Sequence, residues 1–272
     1  MTGTLYVVST PIGNLQDMTH RAIHTLESVG AIACEDTRTT AKLLRHWQIR
    51  TPTVSYHEHN ETERTPQLIA RLLDGEDIAL VTDAGTPLVS DPGYRLVHAA
   101  RETGIAVRAI PGASALLAAL TVAGLPTSSF VFLGFAPARG AARRRVLTSA
   151  ATTPGTFALF ESPKRIARLL EELAMIDPER PACVLREMTK LHEEHLRGTL
   201  RELAAWAKPR SFKGEITLVV GPASTQPNVT VDSLEPIFKS LREEGLSARE
   251  ASKRLAKKHG LRARDIYARF ST

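Results

Sequence analysis

The chain has 272 residues, of which 43% are hydrophobic and 24% charged, as is ordinary for a globular protein with two medium-sized domains or one large domain. No apolar stretch is long enough to cross a membrane, and the first residues lack the charged start of a signal peptide. Cys34 and Cys183 stand alone, without metal-ligand spacing. We therefore expect a cytoplasmic protein without a disulfide framework.

The positive charge of the chain is concentrated near its end. The formal net charge is +6 and the pI is about 9.5. Residues 246–272 contain eight lysines and arginines but only two acids, an excess equal to the net charge of the whole chain. A solvated basic helix is one explanation, but such concentration favours a surface that binds nucleic acid.

The first elements place polar residues after buried strands. A strand at 5–8 runs into a glycine turn at 9–14, a helix capped by Thr19 follows, and a strand at 31–34 runs into 35–40. The Gly-x-Gly-x-x-Gly fingerprint and the Walker lysine are both missing, which disfavours an ordinary dinucleotide domain. Glu35, Asp36 and Arg38 fit either a helix N-cap with a local ion pair or a polar wall of a site, and the local sequence does not choose.

The next strand, at 54–56, leads into a polar segment with two histidines, His57 and His59. A His-x-His pair can bind a metal, but no third ligand with recognisable spacing follows, so we predict a substrate loop or a polar helix start. A helix at 65–73 and a strand at 78–81 come next. The strand ends in a long turn at 82–93, which contains two acids, two prolines, two glycines and several hydroxyls.

This long turn is typical of a ligand loop at the carboxyl edge of an open α/β sheet, although an ordinary strand-to-helix loop is the alternative. After a helix at 94–102, a strand at 105–110 ends in Pro111, Gly112, Ala113 and Ser114 before a helix at 116–123. Small residues there permit either ligand contact or close packing of helix on sheet. Because this is the third such strand end, we expect all three to contact one ligand.

After residue 124 the alternation of strands and helices starts again. We predict strands at 130–135, 156–160, 182–185 and 216–220, helices at 165–173 and 199–207, and a loop at 136–145. Helices follow at 233–243, 247–259 and 264–270, beyond a linker at 226–228. Ser247 and Glu250 form the spacing of a capping box. The expected organisation is α/β throughout, with domains at 1–124 and 125–225 and a basic helix-turn-helix-like module at 226–272.

Several ordered motifs together give the chain a family resemblance. They are STPIGNL at 9–15, EDTR at 35–38, SYHEHNE at 55–61, VTDAGTPLVSDPG at 81–93, IPGASA at 110–115, ESP at 161–163 with Arg165, EMTK at 187–190 and GE at 214–215. With these motifs the chain resembles the tetrapyrrole methylase superfamily of S-adenosylmethionine-dependent methyltransferases. The resemblance implies two α/β domains, S-adenosylmethionine in the cleft between them, no metal, and a homodimer.

The resemblance also implies a substrate. The EDTR motif, the His57 segment and the basic tail are similar to the branch that methylates the ribose 2′-OH of a cytidine in the decoding region of 16S ribosomal RNA. The expected partner is therefore 16S rRNA or the small ribosomal subunit. A porphyrin or corrin methyltransferase is the nearest alternative, and a non-catalytic RNA-binding protein is the alternative of a different class.

Residue roles are carried over from the family motif by motif. Cofactor contacts are implied for three loops, at Pro11, Ile12, Gly13, Asp83, Ala84, Gly85, Thr86, Ser90, Pro111, Gly112, Ala113 and Ser114. For the reaction we expect Arg38 and Lys190 to hold the target phosphate or ribose, and Glu35 or His57 to accept the proton. The residues expected to contact RNA are Asn60, Lys164, Arg165, Lys253, Lys257 and Lys258.

Overall fold

The computed structural model describes residues 2–223, 231–259 and 261–271. The predicted linker at 226–228 and the side chain of Lys258 lie outside the described residues. Contacts divide the chain into two units, residues 1–223 and 224–272, and each is described by itself. Within the described part of the chain, no helix is long and apolar enough to cross a membrane.

The first sheet is entirely parallel. Its strands are β1 (Thr4–Val8), β2 (Ala31–Cys34), β3 (Thr53–Ser55), β4 (Ile78–Val81) and β5 (Ala106–Ile110), in the order β3-β2-β4-β1-β5. Every residue of β2 and β4 is buried, as expected for strands covered on both faces. Because all five strands run the same way, the loops that follow them gather at one edge of the sheet.

Helices cover both faces of this sheet. They are α1 (His20–Ser28), α2 (Thr37–His46), α3 (Glu61–Leu73) and α4 (Tyr94–Glu102), while α5 (Ala115–Val122) follows β5. Leu26 of α1 and Leu44 of α2 pack in one core cluster, whereas Leu68 of α3 and Leu96 of α4 pack in another on the opposite face. The doubly covered sheet follows from one apolar stripe on each helix.

The second sheet is mixed. Its strands are β6 (Phe130–Phe135), β7 (Thr156–Glu161), β8 (Pro181–Arg186), β9 (Glu194–Thr199) and β10 (Ile216–Val220), in the order β6-β7-β10-β8-β9. Only the β6–β7 pair is parallel. Its helices are α6 (Gly140–Thr152), α7 (Ile166–Ile176) and α8 (Leu200–Ala207).

One core cluster joins the two sheets. Leu116 and Ala119 of α5, together with Ile12 from the loop after β1, pack against Ala158 of β7 and Val219 of β10. This contact is apolar and buried, so burial of hydrophobic surface holds the loop edge of the first sheet against the second. The fold class predicted from the sequence is confirmed.

The C-terminal unit is a small helical module. A short 3-10 helix at Asp232–Leu234 precedes α9 (Glu235–Glu243), α10 (Ala248–His259) and α11 (Ala263–Phe270), which share a core of apolar side chains that includes Phe238, Leu255 and Ile266. The predicted capping box is present, since the backbone N–H of Ser247 donates to Glu250 Oε2 (2.9 Å) and that of Glu250 to Ser247 Oγ (3.3 Å).

Three local predictions were wrong. Residues 140–145, predicted as loop, begin α6, and β9 was not predicted at all. The residues of β9 are mostly polar and half-exposed, because it is an edge strand, so they lack the apolar run of an inner strand. Helix α3 begins at Glu61 rather than at residue 65. The division into domains at 124 and 225 stays a prediction.

Candidate active site

Hydrogen bonds tie together the three small-residue loops at the carboxyl edge of the first sheet. Thr10 and Gly85 exchange backbone hydrogen bonds of 2.9 and 3.0 Å in an isolated antiparallel bridge. The hydroxyls of Ser9 and Thr86 lie 3.0 Å apart, and Thr86 Oγ1 donates to the carbonyl of Ala113 (3.2 Å). The loops after β1, β4 and β5 therefore form one connected surface.

Two adjoining cavities lie on this surface. The first, here called the Lys190 cavity, has a volume of about 300 Å³ and is lined by Thr10, Pro11, Ile12, Gly13, Leu15, Thr39, Thr40, Lys42, Leu43, Thr82, Asp83, Ala84, Lys190 and Glu215. The second, here called the Phe160 cavity, has a volume of about 380 Å³. It is lined by Ile12, residues 83–86, Val89, Ser90, Asp91, Ser114, Ala115, Phe135, residues 160–163 and residues 214–217.

The two cavities share Ile12, Asp83, Ala84 and Glu215 in their walls, so they form one cleft with a polar and a partly aromatic half. Ligand sites of this size, with apolar walls and a few convergent polar groups, are typical of small-molecule binding. Residues from both sheets contribute to each cavity, which places the cleft between the two halves of the α/β unit.

Nine of the twelve predicted cofactor residues line the cleft. The exceptions are Pro111, Gly112 and Ala113, which line neither cavity. A Cβ added to Gly112 would lie 3.0 Å from Cβ of Ser9, so this glycine is needed where the loops after β1 and β5 pack closely. For Gly112, close packing therefore accounts for the small residue without a ligand contact.

Lys190 spans the wall of its cavity between two acids. Its Nζ donates to Glu187 Oε1 (2.7 Å) and to Glu215 Oε2 (2.8 Å). Burial of the amine opposes its charge, but the hydrogen bonds to Glu187 and Glu215 and the negative charges of these acids together raise the pKa of Lys190. Two glycines make room: a Cβ on Gly13 would lie 2.4 Å from Lys190 Cγ, and one on Gly214 would lie 2.2 Å from Glu187 Cδ. Lys190 is thus a fixed cation at neutral pH.

Three carboxyl groups surround Thr82 at the end of β4. Thr82 Oγ1 donates to Glu35 Oε2 (3.3 Å) and the backbone N–H of Asp36 donates to Asp83 Oδ1 (3.2 Å). Burial and the like charge of Asp83 raise the pKa of Glu35, and burial also raises that of Asp83. Burial, followed by the charges of Glu35 and Asp83, raises the pKa of Asp91 to about 6. The site therefore concentrates negative charge where a cationic ligand would be stabilised.

Asp36 and Arg38 form a local cap at the start of α2. Asp36 accepts from the backbone N–H of Arg38 (2.8 Å) and from its guanidinium, with Oδ2 2.8 Å from Nη2. These hydrogen bonds lower the pKa of Asp36 to about 2. Arg38 lines neither cavity and its side chain is 87% exposed. The structure thus shows the helix cap with a local ion pair, which was one of the two interpretations of this motif.

The His57 segment is held by Asn60. Asn60 Oδ1 accepts from the backbone N–H of His57 (2.8 Å), and its Nδ2 donates to the carbonyl of Ser55 (3.1 Å). His57 Nδ1 is buried and has no hydrogen-bond partner in the described part of the chain. His57 is close enough to Glu35 to influence the pKa of that carboxyl group, so the two candidate bases are neighbours, although neither lines a cavity. Asn60 thus orients the loop that carries His57.

Glu161, at the end of β7, begins the ESP motif but was given no role in the sequence analysis. Its side chain is fully buried and lines the Phe160 cavity, and its Oε1 lies 2.7 Å from Arg165 Nη2 and accepts from the backbone N–H of Ser162 (2.7 Å). Arg143 lies 3.6 Å from Glu161 Oε2. Arg165 is therefore engaged in an ion pair, whereas Lys164 is exposed. The position of Glu161 at a strand end was the available signal.

The cleft loops also carry backbone strain. Leu88, Ser90, Glu187 and Thr189 have φ between 53° and 73°, the left-handed region that side chains rarely adopt. Such residues persist where surrounding structure holds them, and they cluster at binding sites. All four belong to two of the loops whose residues line the cleft, those after β4 and β8.

In the C-terminal unit, Lys253 lines a groove of about 400 Å³ together with Arg249, Arg264 and Tyr267. Lys257 is exposed on the same helix. Three cations beside a tyrosine are a combination that suits a nucleic acid.

Comparison with known proteins shows the family. Residues 4–204 match the family model for Tetrapyrrole (Corrin/Porphyrin) Methylases. The chain belongs to the tetrapyrrole methylase family. The prediction made from the sequence motifs is therefore confirmed, and with it the fold, the transfer of methyl groups and S-adenosylmethionine as the donor used by this family.

Curated relatives match nearly the whole chain. A protein of Halalkalibacterium halodurans, named ribosomal RNA small subunit methyltransferase I, is 46% identical over 270 residues, which cover 97% of this chain and 93% of the relative. A protein of the same name from Synechocystis is also 46% identical, over 97% of this chain and 96% of its own length.

Solved structures of low sequence identity share the fold. Diphthine synthase has a TM-score of 0.64 at 17% identity and covers 80% of this chain and 89% of its own. Uroporphyrin-III C-methyltransferase from Thermus thermophilus, complexed with S-adenyl homocysteine, has a TM-score of 0.56 at 20% identity, over 80% of this chain and 97% of its own.

Proposed function

We propose that this methyltransferase transfers a methyl group from S-adenosylmethionine to the ribose 2′-OH of a cytidine in the decoding region of 16S rRNA. The observation that carries the proposal is the 46% identity, over 97% of the chain, to relatives named ribosomal RNA small subunit methyltransferase I. This similarity includes the basic C-terminal module, which a small tetrapyrrole substrate would not require. The cleft supports the proposal because its two adjoining cavities can hold one reactant each.

The Phe160 cavity suits the methyl donor. Gly85 and Thr86 present backbone close to the cavity, and Phe135 and Phe160 supply aromatic surface for an adenine ring. Asp83 and Asp91 lie where a sulfonium cation would be stabilised by negative charge. We therefore assign S-adenosylmethionine to this half of the cleft.

The Lys190 cavity suits the target nucleotide. Lys190 and Lys42 offer positive charge, and Thr39 and Thr40 offer hydroxyls, which together match a phosphate and a ribose. Because Lys190 is held by two acids and its pKa is raised, it binds rather than accepts a proton. Positioning of the 2′-OH against the methyl group supplies much of the rate acceleration.

The proton of the 2′-OH is assigned to Glu35 or His57. The raised pKa of Glu35 makes its carboxylate a stronger base, and His57 supplies an imidazole, the side chain that most often transfers protons in enzymes. Removal of a general base typically lowers turnover by ~10²–10⁴-fold. Glu35→Gln and His57→Ala should therefore differ sharply in kcat, and wild-type turnover of either variant removes that residue from the role.

Further parts of the proposal concern partners. Arg38 is assigned, with Lys190, to the target phosphate or ribose. The residues assigned to further RNA contacts are Asn60, Lys164 and Arg165 in the α/β unit and Lys253, Lys257 and Lys258 in the basic module. The substrate is 16S rRNA or the small subunit, in the cytoplasm.

Exposed apolar side chains at Leu117, Val122, Phe130 and Val131 support a homodimer, since burial of such residues favours association. We also propose the division into domains at 124 and 225.

Two measurements test the function. Calorimetry with S-adenosylmethionine should show binding, which an RNA-binding protein without catalytic activity would not. Transfer of labelled methyl should then be compared on small-subunit rRNA and on a tetrapyrrole. Label on rRNA alone supports the proposal, whereas label on the tetrapyrrole alone identifies the nearest alternative.

A further inference from the structure

Helix α6 separates four arginines that stand close together in the sequence. Arg143 is buried, 3% exposed, and pairs with Glu161 and with Glu172. Arg139, Arg144 and Arg145 are exposed, and within the described ranges 2–223, 231–259 and 261–271 none of them has an acidic partner. One arginine thus serves the fold, and three are available to an external anion.

These three arginines lie beside the cleft. Helix α6 follows β6 after four residues, and Phe135, the last residue of β6, lines the Phe160 cavity. A Cβ added to Gly134 would lie 3.5 Å from Ser90 Oγ, in the loop after β4. Arg143 ties the second turn of α6 to Glu161, which lines the same cavity. The helix is therefore fixed at the rim of the cleft.

The exposed face of α6 has the chemistry of a phosphate-binding surface. Arg144, Arg145, Thr148 and Ser149 line a surface groove of about 520 Å³. Guanidinium groups bind phosphate oxygens through paired N–H donors, and hydroxyls add further contacts. No large apolar side chain is exposed on α6, so this face lacks the anchor that a helix lying on a membrane needs.

We propose that Arg139, Arg144 and Arg145 bind the phosphodiester backbone of the substrate RNA at the rim of the cleft. The inference rests on the proposed function, because it requires an RNA whose target nucleotide enters the cleft. It adds a second anchor, located on the α/β unit itself and distinct from the basic C-terminal module. The α6 arginines contact nucleotides that flank the target and take no part in methyl transfer.

The test compares two variants of the full chain that lose the same charge. Arg144→Gln/Arg145→Gln removes the α6 cations, whereas Arg50→Gln/Arg101→Gln removes two exposed, unpaired arginines from the opposite edge of the first sheet. Loss of two phosphate contacts to a single strand should lower the salt slope of log affinity by about 1.4 and weaken binding roughly tenfold at physiological salt. For the α6 variant only, we expect KM for the RNA to rise by the same factor, with kcat unchanged.

A lysine variant and the wild type make every outcome informative. Arg144→Lys/Arg145→Lys keeps the charge and should restore most of the affinity. If the glutamine and lysine variants of α6 both lose affinity because they misfold, their unfolding temperature will be lowered, and this result would contradict a surface role for the two arginines. An α6 glutamine variant with the KM and salt slope of the control overturns the inference. If the wild type itself does not methylate rRNA, the proposed function fails instead.

Discussion

Close approach between Gly13 and Lys190 is what shapes the polar half of the cleft. The lysine side chain passes so near to this glycine that a methyl group would overlap its Cγ at 2.4 Å. Because Lys190 is also held by Glu187 and Glu215, it has little freedom to move aside. The position of one cation thus depends on the absence of one side chain.

Gly13→Ala should therefore displace Lys190 and slow methyl transfer. A shift of about 1 Å in a positioned group can cost on the order of 10²-fold in rate, and we expect a loss of that size in kcat/KM. Gly155→Ala is the control, since its added Cβ would meet its nearest atom at an ordinary 3.6 Å. Steady-state kinetics with rRNA that show equal activity for both variants would contradict the positioning of Lys190 by Gly13.

The raised pKa of Asp91 predicts a pH-dependent effect on stability. In the folded protein this pKa is about 6, above the ordinary value of 3.8. The carboxyl group of Asp91 therefore binds its proton more tightly in the folded protein than in the unfolded chain. The free energy of unfolding therefore falls as pH rises between these two pKa values, and the full loss of stability is present above the higher one. Asp91→Asn should remove this loss of stability.

The measurement is the thermal unfolding midpoint of the wild type and of Asp91→Asn. We expect the variant to be the more stable at about pH 7.5, and the difference to shrink at about pH 4, where Asp91 is protonated in the folded protein and partly protonated in the unfolded chain. A difference that is the same at both pH values would contradict the raised pKa.

At the scale of elements, a buried ion network holds β7, α6 and α7 together. Glu161 of β7 is fully buried between Arg143 and Arg165, and Arg143 also pairs with Glu172 of α7. Removing one partner of a buried pair typically costs ~3–5 kcal/mol, because the remaining charge is left buried without compensation.

Arg143→Met should therefore lower the free energy of unfolding by ~3–5 kcal/mol. Arg168 offers a matched control, since it also pairs with Glu172 but its side chain is 60% exposed, and Arg168→Met should cost only ~0–1 kcal/mol. Denaturant titration measures both. Similar losses for the two variants would show that burial of the ion network does not contribute to the free energy of unfolding.

Most elements were predictable because their apolar residues follow a clear period. Strands β2, β4, β6 and β10 have the predicted bounds, as does α4. β9 was missed because an edge strand with one partner needs no apolar run. The start of α6 was missed because Pro137 and Gly140 are loop-like in local sequence, whereas the buried Arg143 is satisfied by acids on β7 and α7 and by the carbonyl of Pro137.

The candidate site was predictable where it depends on strand ends. Ile12, Asp83 and Ser114 follow parallel strands of one sheet, so topology brings them to the same edge. Glu161 belongs to the second sheet, and no local pattern indicates that its carboxylate is buried beside the cleft. The exposure of Arg38 likewise depends on the ion pair with Asp36, which sequence alone left open.

At the scale of the whole molecule, the cleft and the basic module belong to different units. All residues that line the Lys190 and Phe160 cavities lie in the unit of residues 1–223, and the C-terminal helices have a core of their own. Deletion of residues 224–272 should therefore leave S-adenosylmethionine affinity unchanged, while RNA affinity and its salt slope fall. Calorimetry and RNA titration at several salt concentrations measure these effects, and unchanged RNA binding would remove the module from substrate recognition.

The most direct test of the proposed function is the identity of the methylated nucleoside. Small subunits from cells that lack this protein would be incubated with it and with S-adenosylmethionine, and the 16S rRNA digested and analysed by mass spectrometry. The expected product is one 2′-O-methylcytidine per 16S rRNA, in the decoding region. A methyl group on a base, or the absence of any methylated ribose in the 16S rRNA, would contradict the proposed reaction.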